Sequence, residues 1–335
     1  MKKKTIIIII LDILALTGFF IFYGPINKIK VWWINTAMNT MSHQYFAYIF
    51  YSEDMVKDVL NSNYFIPITE KINLDDIVID TKPKDSYQNE YDEEILTRGD
   101  NDDYKIIEVE IGGYKSYITA IYDPSKVKLI SKEVLGTGGN AETTLSMCKR
   151  TNSRVCINAG ALKPNAQDLS TDIPMGYVIQ DGEIIYATNR NAKGNLIGFN
   201  KDNKLMLVTT TGSEALEMGM RDAIEFGPFL IINGKAMKSV GNGGYGNAPR
   251  SVIAQRKDGV VLFLTTDSKR LYGGPTLDEV IKTLQKYGAY NAANLDGGAS
   301  TSLVVEGKLH NTPRSGYGKI LPQGRGVVTA FALTK

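Results

Sequence analysis

The sequence predicts an α+β fold: a strand-rich C-terminal domain with mixed sheets and few helices, preceded by a transmembrane helix and a helical stalk. Three observations carry this reading. Thr5 to Tyr23 form an apolar run of 19 residues behind three lysines. The stretch after it is rich in aromatic and aliphatic residues and has few breakers. From Tyr104 onward, short segments alternate apolar and polar residues between Gly, Asn and Asp turns, the period-two pattern of half-buried strands. With 335 residues, 43% of them hydrophobic, the chain can bury a sizeable core, and its 32 Gly and 11 Pro exclude a collagen-like or globally disordered chain.

Residues 1–25 read as a cytoplasmic tip and transmembrane signal anchor. As a helix, the 19-residue run would span about 28 Å, close to the hydrocarbon thickness of a bilayer. Lys2, Lys3 and Lys4 keep the N-terminus cytoplasmic under the positive-inside rule, so a single-pass cell-membrane protein with an extracytoplasmic C-terminal domain is expected. No small-x-small site precedes Gly24, which favours an uncleaved anchor over a signal peptide. Asp12, the one charge in the run, reads as a residue tolerated a turn or two from the cytoplasmic face.

Residues 26–71 are expected to form the helical stalk, with Trp32 and Trp33 near the membrane interface and His43 structural. Residues 72–104 hold Asp75, Asp76, Asp85, Asp92, Glu93, Glu94 and further acids among few aliphatics, and read as an acidic linker. The oxygen-ligand alternation of a calcium loop, with Gly at its sixth position, is missing there. Residues 105–335 carry the strand-like runs YKIIEVEI (opening at Tyr104), YKSYITAIY, KLMLVTT, SVIAQ and VVLFLTT. One helix interrupts them at Thr276 to Tyr287, with Thr276 as N-cap, acids in its first turn and Gly288 past its end. No β-α-β alternation supports a nucleotide-binding doubly wound sheet.

The net charge of +2 conceals a division: residues 1–71 carry +2, residues 72–104 carry −8 and residues 105–335 carry +8. The basic C-terminal part favours an anionic ligand. Without a Lys/Arg block interleaved with aromatics, nucleic acid is not expected as a partner. Cys148 and Cys156 are compatible with a small disulfide loop in an oxidising compartment or with two buried thiols. His43 and His310, the only histidines, are far apart, and no metal-ligand pattern accompanies the cysteines, so neither a zinc site nor a serine–histidine triad is supported. No cofactor is predicted; a divalent-metal requirement and the oligomeric state are left open.

The densest chemistry lies in NAANLDGGASTSLVVEGK, residues 291–308. A strand ends there at Asp296, and Gly297-Gly298 could offer an anion-binding nest of N–H groups beside the hydroxyls of Ser300, Thr301 and Ser302. Asp-Gly-Gly is also ordinary turn chemistry. Upstream, CINAGAL puts Asn158 and Gly160 at another strand end, and NAPRSVIAQ puts Arg250 where a strand begins. Arginine's planar fork suits a phosphate. With Asp267 closing the next strand, two acids, one arginine and two glycine turns make a workable site for acid-assisted cleavage at an anomeric or phosphoryl centre.

The ordered series INAGAL, FGPFLIINGK, NAPRSVIAQRKDGVVLFLTTDSK, GAYNAANLDGGASTSLVVEGK and GRGVVTAFAL resembles the phosphodiester glycosidase family over residues 105–335. The anchor with WINTAMNTMSHQYFAYIF is similar to bacterial membrane-bound members of exopolysaccharide type. The resemblance implies hydrolysis of a sugar-1-phosphodiester in a cell-envelope glycan or glycoconjugate, with that glycan as partner. It places the family's Asn-x-Gly turn on Asn158 and Gly160, its Pro-Arg pair on Pro249 and Arg250, and its strand-end acid on Asp267. Its Asp-Gly-Gly turn falls on Asp296, Gly297 and Gly298 beside Ser300 and Thr301, and its late arginine on Arg325.

Three positions depart from the family pattern: Ala161-Leu162 where a bulky aromatic is usual, Ala299 for a third glycine, and Asp267-Ser268-Lys269 for Asp-Gly-Arg, with Arg270 as the substitute for the missing arginine. Arg250, Arg325 and the amides of Gly297 and Gly298 are expected to hold the phosphodiester, with Asn158, Gly160, Ser300 and Thr301 as further substrate- and phosphate-binding residues. Asp296 is the first candidate for the acid or nucleophile, Asp267 the second and Glu225 the third. Two other readings fit the same pocket: an anionic-glycan binding or envelope assembly protein without hydrolysis, and a phosphodiesterase on glycerol-phosphate polymers.

Overall fold

The computed structural model describes residues 3–24, 27–38, 44–165, 170–241, 243–269, 273–315 and 318–335, with the side chains of 3, 4 and 21 also left aside. His43, Arg270 and Lys2 lie outside the described residues. The chain divides into two compact units, residues 1–65 with 239–247, and residues 66–238 with 248–335.

In the smaller unit, Lys3–Tyr23 is one helix of 21 residues. Its aliphatic and aromatic side chains from Ile6 to Phe20 are exposed, from 41% at Ile6 to 62% at Leu14 and Phe20, whereas Phe22 is half-buried. Among the described residues no helix is long and apolar enough to cross a membrane. Within the segment expected as a helical stalk lie three helices, Asn27–Met38, Tyr45–Phe50 and Glu53–Ser62. They share a small core of Ile34, Ala37, Ala47, Tyr51, Val56 and Val59. Trp33 packs against that core with its indole N–H donating to Phe46 O at 2.9 Å, whereas Trp32 is exposed. Ser52 starts the last helix by accepting from the Met55 N–H at 3.3 Å.

The larger unit is built from three large sheets. The seven-stranded one runs, in spatial order, Lys235–Ala236, Phe229–Ile232, Ala289–Leu295, Ser251–Arg256, Val261–Thr266, Tyr114–Ile121 and Tyr104–Ile111. A five-stranded sheet follows the order Glu183–Ala187, Tyr177–Gln180, Met220–Glu225, Gly194–Asn200 and Leu205–Thr210. A second follows Lys308–Leu309, Leu303–Val305, Val155–Asn158, Thr329–Leu333 and Val127–Ser131. The α+β class holds, with neighbouring strands antiparallel in all three sheets where mixed directions were expected.

Alternation along the strands turns one face of each sheet into a common core. Ile253, Phe263 and Leu295 come from the first, Ile197, Phe199 and Ile224 from the second, and Ile157 and Phe331 from the third. Each buried side chain of this size contributes roughly 1.5–3 kcal/mol. The predicted helix, Leu277–Lys286, packs Leu277, Val280, Ile281 and Leu284 against the seven-stranded sheet. Thr276 and Glu279 close its first turn as a reciprocal cap, each side chain accepting from the other's N–H.

Residues 72–104, expected as an unstructured linker, belong instead to the larger unit. Ile77 and Ile95 are buried, and Asn89 caps a helix at Glu90–Leu96. The acids are ordered because they find partners elsewhere in the chain. Asp92 is buried against Arg256, with Nη1 to Oδ1 at 2.9 Å, and Asp258 holds the same guanidinium at 3.0 Å. Glu94 accepts from the Tyr287 hydroxyl and Asp76 from the Tyr290 hydroxyl, both at 2.7 Å. Asp103 takes Lys126 at 2.7 Å and Arg154 at 2.6 Å. Composition read within the segment does not see these cations and hydroxyls.

Candidate active site

The ends of strands from two sheets meet at one rim. Ser251 pairs with Leu295 on one side and Thr265 on the other, so Arg250 and Asp296 stand one residue beyond the ladder on adjacent strands. The Arg250 N–H donates to Thr266 Oγ1 at 2.8 Å, and the Thr266 N–H returns a bond to Arg250 O at 2.9 Å, which brings Asp267 to the same edge. Asn158 arrives from the third sheet, its Nδ2 donating to Asp296 O at 2.5 Å. The Asp296 N–H donates to Ala159 O at 2.9 Å. Arg250, Asp267, Asp296 and Asn158, distant in sequence, are thus neighbours.

Asp296 is half-buried. Burial pushes its carboxyl up to about 6, against the opposing pull of the neighbouring Ser300 hydroxyl, the Arg325 charge and the Gly297 N–H. Arg325 is anchored through Nε to Ser170 Oγ at 2.9 Å. The Asp296 Oδ2 and the hydroxyls of Thr301 and Ser302 are buried without a hydrogen-bond partner among the described residues. Groups of this kind are ordinarily paired, so the cluster is chemically unspent.

Beside the Asp-Gly-Gly turn, a recess is lined by Pro249, Asp267, Gly298, Thr301, Thr312 and Arg314. Asp267 is also raised, by burial first, while the Thr312 N–H, Asn311, Lys115 and Arg314 draw it down. Its Oδ1 accepts from the Thr312 N–H at 2.8 Å, so this acid ties down the 311–314 segment as well as lining the recess.

Several predicted roles change. The Gly297-Gly298 nest does not form: the Gly298 N–H donates to Pro249 O at 2.9 Å, and the next amides turn inward, Ser300 to Gly297 O and Thr301 to Gly298 O. The glycines serve close approach and backbone geometry instead. A Cβ on Gly297 would lie 2.6 Å from Pro249 O, and Gly298 has a φ of +60°. Gly160 likewise spends its N–H on Thr329 Oγ1 at 2.9 Å and packs against Ile224. Arg250 is only 5% exposed, with Nε donating to Pro275 O at 3.4 Å.

Glu225 is not drawn into the rim. Its carboxylate accepts from the Tyr177 N–H at 3.2 Å and packs over Gly176 and Gly194, while Ile224, on the other face of that strand, meets Gly160. Burial raises Glu225, and the Tyr177 N–H opposes it.

Sequence reasoning missed Ser251, Thr329, Ser170 and Asn311. Each supports a residue that was singled out, Ser251 bonding Asn158, Thr329 accepting from the Gly160 N–H, Ser170 accepting from Arg325 and Asn311 lying beside the Asp267 carboxyl, and these contacts join segments distant in sequence. Cys148 and Cys156 form a disulfide with their Cα atoms 6.0 Å apart, joining the helix Thr144–Arg150 to the strand that ends at Asn158. Among the described residues no group of His, Cys, Asp or Glu is placed to hold a metal ion.

The SPbeta prophage-derived uncharacterized protein YomE of Bacillus subtilis is 30% identical over 205 residues, which is 59% of this chain and 31% of that protein. The chain therefore spans about a third of that relative's length. The catalytic domain of zebrafish N-acetylglucosamine-1-phosphodiester alpha-N-acetylglucosaminidase, solved as a form auto-inhibited by its pro-peptide, has the same fold. The TM-score is 0.56 at 20% identity, over 69% of this chain and 82% of that one. A putative exported protein of Burkholderia pseudomallei aligns with a TM-score of 0.50 at 15% identity, over 66% of this chain and 74% of that one. A model of the family described as phosphodiester glycosidase matches residues 151–334, a span that contains the whole rim, and the chain belongs to that family.

Proposed function

We propose that the protein hydrolyses a sugar-1-phosphodiester with Asp296 as general acid. The observation that carries this is the Asp296 carboxyl, raised to about 6 beside the Arg325 charge. A carboxyl tuned toward neutral pH still holds its proton when the leaving group needs it. Asp296 gives that proton to the oxygen bridging sugar and phosphorus as the bond from C1 to that oxygen breaks. Water adds its oxygen to C1 and releases one proton, which restores the acid. Arg325, fixed through Nε, presents the rest of its guanidinium to the phosphoryl oxygens, where a planar fork binds best. Arg250, buried at the rim, adds positive charge behind that contact.

The proposed substrate is a phosphodiester-linked glycan of the cell envelope, met on the outer side of the membrane. Lys3–Tyr23 serves as the anchor in this reading. The exposed apolar side chains from Ile6 to Phe20 suit lipid better than water. The Cys148–Cys156 disulfide supports an oxidising compartment for the larger unit.

The test is release of reducing sugar from a panel of sugar-1-phosphodiesters by wild type, Asp296→Asn and Arg325→Ala, in H2(18)O. Label in the sugar hydroxyl supports the mechanism; label in the phosphate, or binding of the panel without turnover, would reject it.

A further inference from the structure

We infer that Asn158 is a positioning residue that locks Asp296 to the strand bearing Arg250, and that it does not bind substrate. The inference rests on the proposed role of Asp296. Asn158 is fully buried. Its Oδ1 accepts from Ser251 Oγ at 2.7 Å and from the Ser302 N–H at 3.0 Å, and its Nδ2 donates to Asp296 O at 2.5 Å. Its own N–H donates to Ser302 O at 3.3 Å. Both lone pairs of the amide oxygen are occupied, and with the side chain 0% exposed none of its polar atoms is open to a ligand.

These partners fix which end of the amide is which. Ser302 N–H offers only a proton and Asp296 O only lone pairs, so oxygen must face the first and nitrogen the second. One side chain thereby joins the third sheet, the residue next to Arg250, the acid's own carbonyl and the strand after the Asp-Gly-Gly turn. An aspartate here would keep the shape and set a carboxylate oxygen against the Asp296 carbonyl, with no proton between them. The polar contacts across the junction would then oppose the placement they now enforce.

The expected signature is a loss in kcat rather than in binding. A displacement of about 1 Å at the acid costs on the order of 100-fold in rate. For Asn158→Asp and Ser251→Ala in the full-length chain, kcat should fall about 100-fold and about 10-fold respectively, each with KM within threefold of wild type. Raised KM at unchanged kcat, or unchanged kcat in both, would overturn the inference.

A second readout needs no turnover. The pH dependence of unfolding of wild type minus that of Asp296→Asn reports the Asp296 titration, and repeating the pair on an Asn158→Ala background reports it with the lock removed. The midpoint should move from about 6 toward the ordinary carboxylate value of about 4. An unmoved midpoint would overturn the positioning role even if the protein proved to hydrolyse nothing, whereas a moved midpoint with no hydrolysis by wild type would sink only the proposed activity.

Discussion

Replacing Asp296 by Asn separates the electrostatics of the site from its chemistry. The folded carboxyl titrates at about 6 and the ordinary value is 3.8. Below about pH 4 both folded and unfolded chains hold the proton, and the group costs nothing. Between the two values the unfolded chain ionises while the folded one stays protonated, so stability falls as pH rises, and above about 6 the full cost is present. Two units at 1.36 kcal/mol each set that cost at roughly 3 kcal/mol. Urea unfolding of wild type and Asp296→Asn should therefore diverge by up to about 3 kcal/mol between pH 4 and pH 7, with the variant gaining relative stability at the higher pH. Over the same range wild-type kcat/KM should decline through about pH 6, and the variant should retain 10⁻² to 10⁻⁴ of wild-type activity, the usual range for a lost general acid. A pH-independent stability difference would refute the buried-carboxyl argument. Activity that rises through pH 6 would refute the acid role and make the ionised carboxylate the working form.

Arg256→Met should destabilise the larger unit by about 3–5 kcal/mol, since Asp92 and Asp258 would face each other without their cation; urea midpoints give the value, and the added substitution Asp92→Leu should recover part of it. Replacing Cys148 and Cys156 together by Ala should cost about 2.5 kcal/mol, the chain-entropy value for a closure of 8 residues, measured against the same protein without reductant. Gly297→Ala should lower activity at least about tenfold, because a Cβ there would lie 2.6 Å from Pro249 O, and steady-state kinetics on the folded variant checks it. Glu225→Gln should leave turnover within a few fold of wild type, since its carboxylate is engaged by Tyr177 and not by the rim; a loss beyond 100-fold would return it to the reacting centre.

Tyr104–Ile111 was legible because it keeps exposed positions between buried ones, which writes a period of two into the sequence, whereas Ser251–Arg256 and Val261–Thr266, buried at every position, were legible as short β-branched and apolar runs between turn residues. The helix at Leu277–Lys286 was legible through its cap and its apolar stripe. The rim residues stood out because Asn158 closes an apolar strand and Asp267 and Asp296 each follow directly on the end of one. Hydrogen-bond allocation was not legible. Whether the Gly160 amide faces a ligand or Thr329 is decided by a contact 169 positions away in the chain. The same holds for Asp92, whose charge looked solvated until Arg256 was found against it. Local pattern carries facing and periodicity; it carries no record of which distant group has taken a given donor.

That allocation also explains why Asp296 is raised and not lowered. A carboxylate at a glycine turn that accepts two or three N–H groups falls well below the ordinary range. Around Asp296 those donors are directed elsewhere: its own N–H to Ala159, that of Gly298 to Pro249, that of Ser300 to Gly297 and that of Thr301 to Gly298. Only the Gly297 N–H, the Ser300 hydroxyl and the Arg325 charge remain to favour the ionised form, and burial outweighs them. The bonds that weld two sheet edges into a rim thus withhold the donors that would have made this residue a stable anion. A nest of free amides at Gly297 and Gly298 would have produced a better phosphate cradle and a poorer acid. The closed turn favours the acid, and in the proposed mechanism it leaves the grip on phosphate to Arg325 and Arg250.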